Sequence, residues 1–231
     1  MTHEFPNPVL GFDSRFWNGV LPAGAPYKFY IAKCSEGTWV SPDFANQYRA
    51  AQQGGLARSA WSFHRYASDA VASARTYHNA MLAAGGYGEL PPVLDAEDTR
   101  APVTGAVFDH IWVQLQEMEQ LSGREVLVYT ANWWWNRWCK PFSLPTEPMY
   151  TRKLWEADPE PDTTEPSYWD KSDLVLIQTR LDFNPGGFNA VIDEDVAKRE
   201  WFESFVTPTE PIKVTVTVPA NAEIIEIRRQ L

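Results

Sequence analysis

Cysteine is almost absent: Cys34 and Cys139 are the only two in 231 residues. They form no CxxC or Cys/His ligand pattern and are too few for a disulfide framework, so each reads as a buried free thiol in apolar surroundings. Positive charge is scarce too. Twenty Lys and Arg stand against thirty Asp and Glu, a formal charge of −10, the wrong sign for a protein that tracks phosphates. No apolar run approaches the roughly 18 residues of a membrane span. The opening "MTHEFPNPVLGF" carries neither a basic n-region nor an apolar h-region, so synthesis in the cytoplasm without a signal peptide is expected. Nucleic acid and membranes are set aside as partners, and an uncharged or weakly charged partner fits better.

What is present is apolar and aromatic. Apolar residues make up 44% and charged residues 22%, ordinary for a folded soluble chain. Eleven Trp, nine Tyr and twelve Phe supply either core or the flat faces on which a sugar can stack.

Short β-prone runs recur between helical stretches. Residues 8–12, 28–33, 59–64, 91–96 and 125–130 read as buried strands. Segments 41–55, 68–86 and 104–123 carry apolar residues at helical spacing and each stops at glycine, with Ser41 and Thr104 as N-cap candidates. This alternation is the β/α signature. Three further strands, 152–158, 173–179 and 189–193, follow without a long amphipathic helix between them. Eight strands favour an α/β fold, an irregular TIM-like barrel of five β/α units followed by three strands, over a flavodoxin-like open sheet. Residues 1–206 form this barrel. Residues 207–211 read as a linker, and 212–231 as a short β-prone tail that packs along the barrel, docks a partner or assembles subunits.

Chemistry in a parallel barrel collects at the C-terminal strand ends. Asp13, Glu36, Asp95, Glu97 and Asp193 all fall there. Alternation puts Asp95 and Glu97 on one side of "PPVLDAED". Clustered carboxylates repel, so one is pushed to hold a proton near neutrality while another stays ionised, which suits protonation of a glycosidic oxygen. A solvated acidic turn and a divalent-metal site are the competing uses. The run Trp133-Trp134-Trp135 follows the fifth strand, where alternation would turn at least one ring to the cleft. Trp17 and Tyr129 are similarly placed, and His64 lines the cleft or sits in the core.

Several of these stretches, in order over residues 9–202, resemble glycoside hydrolase family 25 muramidases, lysozymes that cut peptidoglycan. They include "GFDSRFWNG", "FYIAKCSEG", "SFHRY", "PPVLDAED", "VLVYTANWWW", "KLWEAD", "LIQT" and "GGFNAVIDED". The resemblance implies N-acetylmuramidase activity with no cofactor. It implies Glu97 as general acid, Asp95 as its carboxylate partner, Asp13 and Asp193 as the remaining acids, and Glu36 in a family motif. Substrate contacts are expected from Glu36, Trp17, His64, Tyr129, Trp133 and Trp135, with bacterial peptidoglycan as partner and no metal. Ser14, Arg15, Ser62 and Asp195 depart from the family pattern at positions expected to line or border the cleft. A substrate outside the membrane, with no visible signal sequence, points to a phage or prophage lysin released at lysis or carried on a virion. A catalytically silent glycan-binding or virion module on the same barrel is the alternative.

Overall fold

Turn-forming residues divide the chain into short β-branched and aromatic runs, and every expected strand forms around them. The computed structural model describes residues 5–15, 17, 19–159, 168–184, 188 and 191–206; the expected linker and tail at 207–231 lie outside them. The strands are β1 (Val9–Ser14), β2 (Phe29–Glu36), β3 (Trp39–Val40), β4 (Ala57–Phe63), β5 (Val93–Asp95), β6 (Leu127–Ala131), β7 (Leu154–Ala157), β8 (Leu174–Phe183) and β9 (Ile192–Ala197). Helices α1 (Phe44–Gln53), α2 (Ala70–Ala83), α3 (Gly105–Ser122) and α4 (Asn132–Trp138) follow the β2–β3 hairpin, β4, β5 and β6, and α5 (Arg199–Val206) follows β9.

Eight strands close into a barrel, with β3 added as a hairpin on β2. Neighbours from β1 round to β8 are parallel, whereas β9 is antiparallel to both β8 and β1. The chain between β8 and β9 is too short for a helical crossover, so the last strand turns back. Its N-terminal end therefore lies at the mouth where the other strands end. Asp193, expected as the end of a strand, instead stands near the start of one, opposite Asp13 in register.

Helix ends obey local chemistry. The Asp69 carboxylate caps α2 by accepting from Ala72 N–H at 2.7 Å, and Gly123 ends α3 in the left-handed region. Thr104 occupies the N-cap of α3 without a side-chain bond. Asp43, not Ser41, is the N-cap of α1, because Ser41 N–H donates to Cys34 carbonyl and closes the β2–β3 hairpin.

The strands alternate between two apolar layers. One fills the barrel with Val9, Phe29, Ile31, Val93, Leu127, Trp155 and Leu176. The other packs Phe12, Tyr30, Leu94 and Val128 against helix residues such as Tyr48, Tyr77, Ile111 and Trp134. Phe202 of α5 packs on Phe29 at the end opposite the mouth, with ring centroids 5.8 Å apart. A Cβ at Gly11 would run into the buried Phe29 ring, so that position excludes any side chain. Both cysteines are buried and free. Among the described residues no helix is long and apolar enough to cross a membrane.

Candidate functional site

With the lower barrel filled by apolar side chains, the inward positions near the strand ends turn polar: Asp13, Lys33, Asp95, Gln178 and Asp195 are all buried. Asp13, Lys33, Glu36, Asp95, Glu97, Tyr129, Gln178 and Asp193 help line a cavity of about 160 Å³ at the mouth. An adjoining cavity of about 730 Å³ is bordered by Asn132, Trp133, Leu181 and Asp182. Arg15, Glu97, Tyr129, Gln178 and Asp193 belong to both, so the two form one cleft.

Glu36 reaches this cleft through an irregularity. The β2–β4 register shifts between Lys33 and Ser35, a bulge that sets residues 33 and 36, rather than 33 and 35, on one side. Lys33 Nζ then donates to Glu36 at 2.7 Å, while Ser35 turns to Ser62. Arg65 bridges Glu36 at 2.6 Å and Asp98 at 2.7 Å. Burial raises the Glu36 pKa, but the hydrogen bonds from Lys33 and Arg65 outweigh it and leave the carboxyl below its ordinary range. Glu36 is thus an ionised, held group.

The other acids are pushed the opposite way. Burial, then the Asp193 charge, raises Asp13 well above the usual range, against the hydrogen bond from Gln178. Burial, then Glu97, raises Asp95, whose Oδ1 has no hydrogen-bond partner among the described residues. Glu97 is pushed up to about 7, chiefly by burial, opposed by Arg15 and assisted by Asp193. Asp193 is raised by burial although Asp182 N–H donates to it at 2.7 Å. Tyr129 donates to Gln178 Oε1 at 2.9 Å, and Gln178 Nε2 donates to Asp13 at 2.8 Å, a chain that fixes Asp13 in the cavity wall. Among the described residues no group of three His, Cys, Asp or Glu is arranged to hold a metal ion.

Three expected substrate contacts do not reach the cleft. Trp17 is buried between β1 and the helical layer, edge-on to Phe12 at 5.2 Å, with Nε1 donating to Val20 carbonyl. Trp135 is fully buried and donates to Tyr150. The tryptophan run is helical, so a rotation of about 100° per residue replaces the expected alternation: Trp134 and Trp135 turn inward and Trp133 stays exposed at the cleft.

His64 is the third. His110 Nε2 lies 2.9 Å from the Ser68 carbonyl, which can only accept, so His110 Nδ1 accepts from His64 Nε2 at 2.8 Å. Burial, then the facing His110, lowers the His64 pKa to about 3. It is a neutral core group whose backbone N–H ties β4 to Asp95 carbonyl.

Of the four departures, Ser14 bonds Tyr30 and Ser62 bonds Ser35 and Gln114, all buried behind the strands. Only Arg15 and Asp195 lie beside the acids, Arg15 in the cleft wall and Asp195 buried on β9 two residues from Asp193. Lys33, Arg65 and Trp155 are additional cleft residues. Lys33 stands three positions before Glu36, Arg65 directly follows His64, and Trp155 lies in the "KLWEAD" strand, where only alternation could have pointed to it.

The sequence profile of Glycosyl hydrolases family 25 matches residues 12–171, which contain Asp13, Glu36, Asp95 and Glu97. The chain belongs to this family. It is a glycoside hydrolase of the muramidase, or lysozyme, type. Solved structures share the fold. A bacterial lysozyme from Streptomyces coelicolor is 21% identical at a TM-score of 0.70, over 85% of this chain and 96% of that one. A muramidase from Trichobolus zukalii is 21% identical at 0.67, over 85% and 98%. The CTP1L endolysin is 20% identical at 0.64, over 85% and 69%. A search of curated protein sequences finds no match. Asp193 and Asp195 fall outside the profile match, and it is the β1–β9 pairing that sets Asp193 opposite Asp13 and Asp195 opposite Gly11 in this family 25 chain.

Proposed function

We propose that the chain cleaves the β-1,4 bond between N-acetylmuramic acid and N-acetylglucosamine in bacterial peptidoglycan, with Glu97 as the proton donor. The observation that carries this reading is Glu97 itself. It is shared by both cavities, and burial holds its carboxyl near 7, so a large fraction is protonated at neutral pH and can donate to a glycosidic oxygen. Asp95 is its carboxylate partner. Asp13 and Asp193 are the remaining acids that line the cleft beside them. Glu36 stays ionised under Lys33 and Arg65 and contacts substrate from the opposite wall. Tyr129 borders both cavities, and Trp133 offers a ring face to a sugar in the larger one.

Glu97→Gln, purified and folded, is expected to lose at least about a hundredfold in reducing ends released from peptidoglycan. Release equal to wild type would sink the assignment. Mass spectra of the digest report the bond, because muramidase action leaves N-acetylmuramic acid at the new reducing end and a glucosaminidase leaves N-acetylglucosamine. Tight glycan binding without any release by the wild type would favour the silent binding module. Ser14 and Ser62, two of the departures from the family pattern, are buried away from the cleft and give that alternative no support.

The reading as a phage or prophage lysin, acting on the wall after release or from a virion, draws support from the fold shared with the CTP1L endolysin. It is tested by expression in the host with and without a membrane-permeabilising partner. Lysis that depends on permeabilisation is expected, and lysis without it would count against release at lysis.

A further inference from the structure

Among the described residues three cations line the cleft, and two of them are paired. Lys33 donates to Glu36, and Arg65 bridges Glu36 and Asp98. Arg15, just past the end of β1, is exposed and borders both cavities, yet it makes no hydrogen bond or ion pair among the described residues. An unpaired guanidinium offers planar donors that match a carboxylate. In a strand of alternating N-acetylglucosamine and N-acetylmuramic acid only the second sugar bears an acid, on its lactyl arm, as the free carboxyl or through an attached stem peptide. We propose that Arg15 is a specificity-determining residue of the cleft: it takes a carboxylate borne on the lactyl arm of a muramic sugar, and so distinguishes that sugar from its neutral neighbour beside Glu97.

The charges around Arg15 show why one cation matters. Asp13 of β1, Asp95 and Glu97 of β5 and its loop, Asp182 near the end of β8 and Asp193 of β9 line the same two cavities. Without Arg15, an acidic sugar would meet carboxyl groups and no free cation there. Its binding has a second effect. Burial raises Glu97, and Arg15 is the charge that opposes it, so a carboxylate seated on Arg15 cancels that opposition and leaves the Glu97 proton more firmly held. The inference deepens the proposed function, on which the identity of the glycan rests.

Titration calorimetry on Glu97→Gln, with and without R15Q, tests it in the absence of turnover. The probes are muramyl oligosaccharides stripped of peptide, the same strands bearing stem peptide, and chitooligosaccharides, which have no lactyl arm. R15Q is expected to weaken binding of the acid-bearing strands about five- to tenfold and of chitooligosaccharides by less than about twofold. R15K keeps the charge and is expected to recover part of the loss. A loss on stripped strands assigns the lactyl carboxyl itself, and a loss confined to peptide-bearing strands assigns a carboxyl of the peptide. Equal effects on all probes, or none, would overturn the proposal. In the active enzyme kcat reports the bound state and kcat/KM the free one, so on acid-bearing strands the alkaline limb of kcat is expected to lie about half a unit to one unit above that of kcat/KM. R15Q is expected to narrow that gap, and an unchanged gap would overturn the coupling to Glu97. A wild type that binds these strands through Arg15 but releases no reducing ends would end the muramidase reading and leave the carboxylate site standing.

Discussion

At the level of single residues, the site works by keeping two sets of carboxyls in opposite states within one small cavity. Glu36 lies under Lys33 and Arg65 and is held ionised. Glu97 is more deeply buried, and it has only the Arg15 charge to oppose that burial. Burial and charge placement, not residue type, decide which carboxyl can donate. The acid form of Glu97 is the active one, so kcat/KM is expected to fall as pH rises through about 7. Arg15 favours the ionised form, and removing its charge shifts that fall upward. Arg15→Gln is expected to move the alkaline limb of the pH profile up by a few tenths of a unit to about one unit. A limb that stays in place, or moves down, would show that Arg15 does not act on the proton donor. Because the acids are mutually coupled, the limb reports the cluster's apparent value and not a private constant of Glu97.

At the scale of elements, α4 separates packing from recognition within three consecutive tryptophans. Trp134 is fully buried and stacks on Trp138 one turn later, with centroids 5.5 Å apart, whereas Trp133 is 60% exposed at the larger cavity. Trp134→Ala is expected to cost about 3–5 kcal/mol of stability in denaturant unfolding, because it leaves a large cavity. Trp133→Ala is expected to leave stability within about 0.5 kcal/mol and to raise KM roughly fivefold, the equivalent of about 1 kcal/mol. A destabilised Trp133→Ala, or an unchanged KM, would contradict this division. The same helix shows where sequence reading ran out. The eight barrel strands were legible because apolar alternation and flanking turn residues are local signals. Whether "NWWWN" continued as strand or loop or wound into a helix depended on tertiary contacts with Tyr150 and Trp169, to which no local pattern points. Trp17 was misplaced for a similar reason, since a strand-end position does not reveal on which side of the sheet the following loop folds. The bulge at Lys33–Ser35 and the reversal of β9 were equally invisible, although both are needed to bring Glu36 and Asp193 to the cleft.

Across the whole molecule, the closed barrel concentrates buried acids whose folded forms hold protons that the unfolded chain releases near pH 4. Asp13, Asp95, Asp193 and Asp195 are raised, and Glu97 reaches about 7. A group with a raised folded pKa contributes stability below its unfolded pKa and loses that stability as pH rises through the folded one. These five act in the same direction, and the net charge of −10 adds self-repulsion of the same sign as pH rises. His64 opposes them. Its folded pKa, near 3, lies below the unfolded value of about 6.5, so it costs stability as pH falls below about 6.5. Glu36, held low, adds to that acid-side loss only below the ordinary carboxylate range. One pKa unit is worth about 1.4 kcal/mol. Between pH 8 and pH 5 His64 gives up at most about 2 kcal/mol, less than several acids can jointly recover over the same three units. The melting temperature is therefore expected to peak near pH 5–6 and to fall by several degrees at pH 8. A calorimetric or fluorescence melt series that is flat, or that rises toward pH 8, would show that the acid cluster does not hold its protons in the folded state. The activity and stability optima are linked, because the charge arrangement that keeps Glu97 protonated for chemistry also makes the fold prefer mildly acidic solution.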